Sequence, residues 1–568
     1  MDNIFTQLAL ILTLSSLLGL ITYRFKLPLL IAYLVGGLIL ASVAFFDVRS
    51  SEALSFLPEI GIAFVLFLVG MELDLRQLKS FGSPILIAGF LQIIISSVLG
   101  TFIAQSFGAN LVESIYLGIG LSFSSTIVVV KLLQERKDLN SLYGKLSLGI
   151  LLLEDLLAVV ILLGLTSHTT SIFQLGLTNT LPLLAFVGKV LLLLTFSLVL
   201  SRFLLTSLFK AVSGSGELLF LTALAWCFLY ITFAQVLGFS VLIGAFLAGV
   251  ALANSPYHFQ IEGKVKPMRD FFVALFFVYL GTKVDFALIK DASLLILAFT
   301  SYAILVKPLI FLLILGIFGF RKHTLFHTAI GLSQISEFSL IILLVGLNEG
   351  LASPQALTVI ATSGVFSIII SSLMISRSDI IYKFVSRFVS FFERKKEINI
   401  PAEDDKELID HVVIIGAHRV GGEIVRFFKR EKQAMVVLDF NPHQVEALLA
   451  EEVPVIYGDM GDPDILEILN LDKAKVIIST SPDINDNKAL LEELRLRKIN
   501  VPVIVRAETV LDAQTLYKRG ADYVIIPDVL AGDALLDLLR DHLNDKGYFR
   551  DRSRIELEKL QRKILAWE

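Results

Sequence analysis

Between Leu146 and Leu165 the chain is apolar apart from Ser147 and two adjacent carboxylates, Glu154 and Asp155. About 20 such residues form a helix long enough to cross the hydrocarbon of a bilayer. The two acids then lie at membrane depth, where an ionised group is costly unless it is hydrated or paired. A chain carrying such a pair needs a partner for it, a path to it and a second conformation.

Further apolar runs of crossing length occur at about 4–22, 28–46, 55–71, 84–106, 112–130, 182–207, 215–232, 237–254, 268–282, 292–316, 323–346 and 354–376, making thirteen crossings in all. Their weight explains why only 18% of the 568 residues are charged and 55% are hydrophobic, where a soluble chain carries roughly 25% charged residues. The single cysteine, Cys227, lies in an apolar run and excludes both a disulfide framework and a thiolate metal site. The first run leads directly into the second without a cleavage pattern and reads as a retained helix.

Lys and Arg set the orientation. One alternating set of loops holds Arg24, Lys26, Arg76, Lys79, Lys131, Arg136, Lys137, Lys145, Arg202, Lys210, Lys264, Lys266, Arg269, Arg321 and Lys322. The other holds only Arg49, Lys283 and Lys290 near helix ends. The first set is expected to face the cytoplasm, with the N-terminus outside and the C-terminal part inside.

Polar groups within the crossings are concentrated. The fifth has Ser122, Ser124, Ser125 and Thr126, the eleventh Lys307 followed by Pro308, and the twelfth Ser333, Gln334, Ser336 and Glu337. Lys189 stands toward the outer end of the seventh. Pro308 frees a carbonyl, and Lys307 beside it places a cation at a depth comparable with Asp155, so the two are expected to offset each other's desolvation. Glu154 points about 100° away from Asp155 around the helix and need not share its cavity. A polar helix and acids early, matched by a cation and polar helix late, loosely suit the inverted repeats of alternating-access transporters. A gated channel is the competing reading, although no TVGYG-like carbonyl filter is present.

The chain divides into a membrane domain (1–378), a linker (379–408) that begins basic and turns acidic, an α/β Rossmann-like domain (409–545) and a charged C-terminal helix (546–568). Strand His411 to Ile415 precedes Gly416-Ala417-His418-Arg419-Val420-Gly421-Gly422 and an amphipathic helix; strand Met435 to Leu438 then ends at Asp439. This strand, glycine turn, helix, strand and acid series suits adenosine or dinucleotide recognition, with phosphate at the helix N-terminus and ribose on the acid. His418 replaces the second glycine, which favours a mononucleotide such as AMP or adds positive charge beside Arg419. Further strands at 453–457, 475–479, 501–505 and 523–526 predict an open parallel sheet, with Asp459, Thr480 and Arg506 at ligand-facing ends. No substrate dehydrogenation site accompanies the fingerprint, so a regulatory sensor is expected rather than a redox enzyme.

LPLLIAYLVGG from Leu27, GIAFVLFLVGMELD from Gly61, LSFSST from Leu121, LLLEDLLAV around Asp155, GFSVLIGAFLAGVALA from Gly238, FFVALFFVYLG ending at Gly281 and GLSQISEF from Gly331 are similar to segments of one family. So are HVVIIGAHRVG, VVLDFNP, YGDMGDP and GADYVIIP in the last third. The chain resembles the second branch of the monovalent cation:proton antiporter superfamily, in its Kef-type arrangement with a C-terminal TrkA-type (RCK or KTN) nucleotide-binding domain. The resemblance implies an all-α inverted-repeat membrane domain with discontinuous helices, in a homodimer of the inner (plasma) membrane. It implies exchange of K⁺ or Na⁺ for H⁺, with a ligand-gated potassium efflux system as the alternative, and regulation by AMP, NAD(H) or ATP. By that resemblance Asp155 carries the ion and the proton, Thr126 and Ser125 flank it at an unwound segment, and Lys307 interacts with the carboxylate. Glu337 organises the late discontinuous helix. Kef-type chains usually have Gln-Asp and related sodium/proton antiporters Asp-Asp or Asn-Asp where this chain has Glu154-Asp155, so a second acid is available to take a second proton.

Overall fold

The computed structural model describes residues 4–25, 27–42, 57–72, 83–136, 138–139, 141–166, 195, 205–253, 255–284, 286–393, 409–439, 441–458, 460, 463–543, 545, 547–554 and 557. The expected run at 182–207, with Lys189, lies almost wholly outside these residues, as does Asp459. Two compact units separate, one running to Lys395 and the other from Lys396 onward, the second also taking in 140–142.

In the first unit every other expected crossing falls on a helix. In chain order these are α1 (Ile4–Arg24), α2 (Leu29–Ser42), α3 (Leu57–Glu72), α4 (Ser83–Ser106), α5 (Leu111–Ser122), α6 (Thr126–Arg136) and α7 (Leu142–Thr166). A short α8 (Thr206–Val212) precedes α9 (Gly216–Val236), α10 (Val241–Ala253), α11 (His258–Lys283), α12 (Phe286–Asp291) and α13 (Ser293–Ser301). Then follow α14 (Lys307–Ile317), α15 (Lys322–Gly331), α16 (Glu337–Asn348), α17 (Pro354–Ser376) and α18 (Ser378–Val389). Among the described residues, six spans are long and apolar enough to cross a membrane alone, and several shorter apolar helices accompany them. Large apolar side chains such as Val98, Phe102, Leu229, Leu297 and Phe366 stand exposed on the helices' outer faces, as lipid-facing surfaces require.

Packing sorts the helices into two sets. In one, α3 packs on α10, α11 on α2 and α3, α9 on α10, and α1 on α2. In the other, α4 packs on α5 and α14, α16 on α5 and α17, and α15 on α14, α17 and α18. Small residues set a close contact of the first set. A Cβ at Gly249 would lie 2.0 Å from the Phe67 carbonyl oxygen, and one at Gly70 would lie 2.3 Å from that of Phe246. Both glycines belong to the quoted sequence segments, and their absent side chains let α3 and α10 meet backbone to backbone.

The expected fifth and twelfth crossings are each broken. Residues Phe123 to Ser125 separate α5 from α6, and Leu332 to Ser336 separate α15 from α16. The eleventh widens into a π-helix at Tyr302–Val306, where the Lys307 N–H donates to the Tyr302 carbonyl just before Pro308. Proline cannot donate in the helical ladder, and the wider turn accommodates that loss.

The second unit is a six-stranded parallel sheet in the order β3-β2-β1-β4-β5-β6. Its elements are β1 (His411–Ile415), α19 (Arg419–Arg430), β2 (Met435–Asp439), α20 (Pro442–Ala450), β3 (Val455–Tyr457), α21 (Pro463–Ile468), β4 (Ala474–Ser479), α22 (Ile484–Leu496), β5 (Val503–Arg506), α23 (Val510–Lys518), β6 (Tyr523–Ile525) and α24 (Pro527–His542). Strand order reverses between β1 and β4, which opens a crevice at the carboxyl ends of those strands. Strands β1 and β2 are buried along their whole length, as strands covered by helices on both faces must be.

Candidate functional site

The two helix breaks lie against each other and satisfy one another's backbone. The Ser336 N–H donates to the Phe123 carbonyl at 3.1 Å, Ser124 Oγ donates to the Leu332 carbonyl at 3.1 Å, and Gln334 Nε2 donates to the Ser125 carbonyl at 3.4 Å. Irregular backbone at membrane depth is tolerated only where groups lost from the helical ladder find such partners. Hydroxyl and amide side chains at both breaks are therefore what this crossing needs.

Helix α7 brings its two acids to this point, and they take different partners. Thr126 Oγ1 donates to Asp155 Oδ2 at 2.9 Å, which sets Asp155 against the N-terminus of α6, the positive end of that half-helix. The Ser124 N–H donates to Glu154 Oε2 at 2.7 Å. Lys307 is fully buried, and its Nζ donates to the Gln334 carbonyl at 3.1 Å. The Glu154 carboxylate acts electrostatically on the Lys307 ammonium. The sequence reading joined Lys307 to Asp155, the next residue along α7, and one residue step turns a side chain by about 100°. Glu154 and Asp155 therefore leave the helix in different directions, with Asp155 beside Thr126. Asp155 is also less enclosed, 9% exposed against 0% for Glu154.

Glu337 opens α16 and is 7% exposed, with Ser125 and Ser336 beside its carboxyl group. Its Oε2 and Glu154 Oε1 are buried oxygens without a hydrogen-bond partner. Ser125 is fully buried, and its Oγ accepts from the Val128 N–H at 3.4 Å. The fourth crossing contributes a residue that sequence reasoning missed. Gln92 Nε2 donates to the Ser122 carbonyl at 2.9 Å and to Ser96 Oγ at 3.0 Å, and Tyr302 of the π-helix donates to the same hydroxyl at 3.0 Å. Gln92 thus caps the broken end of α5 from a neighbouring helix. An amide in the middle of an apolar run was the available signal.

In the second unit the glycine turn forms as expected. Gly416 has φ +82, a conformation that favours glycine, and a Cβ on Gly421 would lie 1.7 Å from the Gly416 carbonyl oxygen. His418 stands exposed just before α19, and Arg419 is that helix's first residue. Asp439 Oδ2 accepts from the Ala417 N–H at 2.7 Å and its Oδ1 from the Asn441 N–H at 2.8 Å. The acid expected to meet ribose therefore also braces the turn expected to meet phosphate. Thr480 Oγ1 donates to the Gly416 carbonyl at 2.8 Å from the end of β4. Asn487 Nδ2 donates to the Arg506 carbonyl at 2.9 Å. A glycine turn, a helix N-terminus and an acid at the strand reversal fit an adenosine phosphate.

Comparison with known proteins agrees with this division. The family described as "Sodium/hydrogen exchanger, transmembrane" matches residues 9–377, and the TrkA-N domain matches residues 412–527. The chain is 28% identical over 537 residues to the KefB protein of Alkalimonas amylolytica, which bears the name of a K(+) efflux antiporter; the match covers 94% of this chain and 80% of that one. It is 27% identical over 516 residues to the glutathione-regulated potassium-efflux system protein KefC of Klebsiella pneumoniae, covering 88% of this chain and 79% of the relative. Among solved structures, the sodium proton antiporter MjNhaP1 of Methanocaldococcus jannaschii aligns with a TM-score of 0.46 at 16% identity, over 66% of this chain and 97% of that one. The exchanger match alone spans more than half of the sequence, and the chain belongs to the sodium/hydrogen exchanger family, with a TrkA-N domain following its membrane part.

Proposed function

We propose that this protein exchanges a monovalent cation, K⁺ or Na⁺, for H⁺ by alternating access, and that a nucleotide bound to its second unit regulates the exchange. The observation that carries this reading is Asp155 held by Thr126 where two interrupted helices cross. A carboxylate there is solvated by fixed dipoles rather than bulk water, so a proton and a cation compete for the same oxygens. Ser125 and Thr126 provide further oxygen ligands, and Lys307 with Glu154 balances charge beside them. Glu337 organises the start of α16. The two helix sets supply the moving parts, the set containing both breaks shifting against the other.

In this reading residues 1–378 are the exchanger, 379–408 the linker, 409–545 the nucleotide-binding domain and 546–568 a terminal helix. The protein is a homodimer of the plasma membrane, its N-terminus outside and its nucleotide domain in the cytoplasm. The test is dissipation of a pH gradient in proteoliposomes on addition of K⁺, Na⁺ or Li⁺, with the membrane potential clamped. K⁺ or Na⁺ should each drive proton movement with saturable dependence on the cation. Equal cation flux with no proton counterflow would favour the gated efflux alternative.

AMP, NAD(H) or ATP binds at Gly416, Gly421, Asp439 and Thr480, with His418, Arg419 and Arg506 around them; Asp459 is assigned to the same site from the sequence alone. Asp439→Ala removes both the ribose acceptor and the brace on Ala417, and in the full chain it is expected to lower nucleotide affinity at least tenfold, the equivalent of about 1.4 kcal/mol. Calorimetry with each nucleotide on wild type and variant checks this. Unchanged affinity would place the ligand elsewhere.

A further inference from the structure

At one end of the first unit the chain turns at Arg377, out of α17 and into α18. Side-chain contacts fix how α18 lies. Asp379, in its first turn, accepts from Arg136 NH2 at 3.1 Å on Oδ1 and 3.0 Å on Oδ2, and its Oδ1 lies 3.3 Å from His327 Nε2. The helix therefore starts beside the last residue of α6 and the middle of α15. Tyr382 packs on Phe326 with ring centroids 5.4 Å apart. Just past α18, Glu393 pairs with Arg321 at 3.1 Å, where α15 begins. Phe392 rests on the end of α14, where a Cβ at Gly316 would lie 2.2 Å from the Phe392 carbonyl oxygen. The stretch from Asp379 to Glu393 thus matches only His327 back to Arg321 on α15. At the helical rise that is about 21 Å of chain against about 9 Å of α15, so α18 crosses the ends of its neighbours obliquely and does not continue the path of α17.

One face of α18 is turned inward and buries Ser378 and Val389. The opposite face carries Ile380, Phe384, Phe388 and, just past the helix, Phe391, all exposed, Phe384 and Phe391 to 84% and 85%. Steps of four, four and three residues put these side chains in a single stripe. Lys383 and Arg387, each one residue before a phenylalanine of the stripe, are exposed as well, and Arg394, Lys395 and Lys396 follow in the sequence. The one acid within α18, Asp379, is taken up by Arg136. A contiguous aromatic stripe left in water is costly and marks a surface that something covers. Basic residues beside it suit a bilayer interface, where rings enter the boundary between headgroups and acyl chains and long cationic side chains reach back to anionic phosphates. Neighbouring surfaces point to the same occupant. Before the turn α17 exposes Phe366, Ile370 and Leu373 on its lipid side, and α14 exposes Leu313 and Ile317 as it ends beside Phe392, so the stripe adjoins lipid-facing surface at both of its ends.

We propose that α18 is a membrane-surface anchor, lying in the bilayer interface with Ile380, Phe384, Phe388 and Phe391 among the upper acyl chains and with Lys383 and Arg387 on anionic phospholipid headgroups. The inference rests on the chain crossing a membrane and is independent of the exchange reading. It fixes the start of the linker to the lipid surface, and the ion pairs at Asp379 and Glu393 hold the anchored helix to α6 and α15.

Cys227, the one cysteine of the chain, is buried, so a thiol placed on the stripe can be labelled selectively, and exposed positions there tolerate the change. A nitroxide on Phe384→Cys or Phe388→Cys, in the full chain reconstituted into vesicles of phosphatidylethanolamine and phosphatidylglycerol, should collide more with dissolved oxygen than with a water-soluble nickel chelate. The same label on Glu431→Cys, exposed at the end of α19, should show the reverse. In vesicles of phosphatidylcholine alone the oxygen-to-nickel ratio at 384 should fall roughly twofold or more as the charge attraction is lost. Lys383→Glu combined with Arg387→Glu should produce the same fall in the anionic vesicles. Nickel collisions exceeding oxygen collisions at 384 and 388 would place the stripe in water. Poor access of both reagents would mean that protein, the second unit or a second copy of the chain, covers it. A ratio indifferent to lipid charge and to charge reversal would remove the headgroup contact. Each of these three results overturns the proposal.

Discussion

Replacing Asp155 by asparagine is expected to reduce cation-driven proton flux to the rate of protein-free vesicles while leaving the protein folded. Asparagine keeps the side-chain volume and an oxygen able to accept from Thr126 Oγ1, the bond that holds Asp155 at 2.9 Å in the structure. It cannot bind and release a proton near neutral pH, and it brings no negative charge to a cation. Glu154 cannot substitute, because its Oε2 is committed to the Ser124 N–H. The check is acidification or alkalinisation of vesicle interiors under an imposed K⁺ or Na⁺ gradient, with a thermal melting curve of the same preparation to establish folding. Flux near the wild-type rate would remove Asp155 from the carrier role.

The second large effect concerns Lys307, which is fully buried beside an equally buried Glu154. Removing one partner of a buried pair leaves an uncompensated charge and costs about 3–5 kcal/mol, whereas replacing both by neutral groups of similar size is often tolerated. Lys307→Met is therefore expected to lower thermal stability sharply, because Glu154 loses the cation and the Gln334 carbonyl loses its donor. The double change Glu154→Gln with Lys307→Met should recover most of the loss. If instead Lys307 serves Asp155 more than Glu154, Glu154→Gln will give no rescue. Melting temperatures of the two single variants and the double variant form the cycle that separates these outcomes.

The architecture was largely legible because its strongest signals are local. A run of apolar residues long enough to cross a bilayer announces itself whatever surrounds it. Ser124 and Ser125 in one such run, and Gln334 and Ser336 in another, mark the places where helical hydrogen bonds must be replaced. The six strands were legible for the same reason, with ends displaced by a residue or two, as before β3 and β5, where Pro454 and Pro502 accept from Val437 and Ile477 but have no N–H to donate. That Glu154 also acts on Lys307 was not legible, since depth in the membrane follows from sequence position but the direction of a side chain around α7 depends on how that helix is rotated against α14. Gln92 was overlooked for a related reason. Its task, capping the end of α5 from α4, exists only once those helices are packed. Nor does spacing foretell that Arg136, His327 and Asp379 converge, since 243 residues separate the first from the last.

The most direct test of a carboxylate shared between proton and cation is proton release on cation binding, measured with the purified protein in weakly buffered detergent solution containing a pH indicator. Adding K⁺ or Na⁺ to the wild-type protein should release protons, with the amount rising to saturation as the cation is titrated, and Asp155→Asn should release none. Cation binding without proton release, or equal release from wild type and variant, would contradict the account.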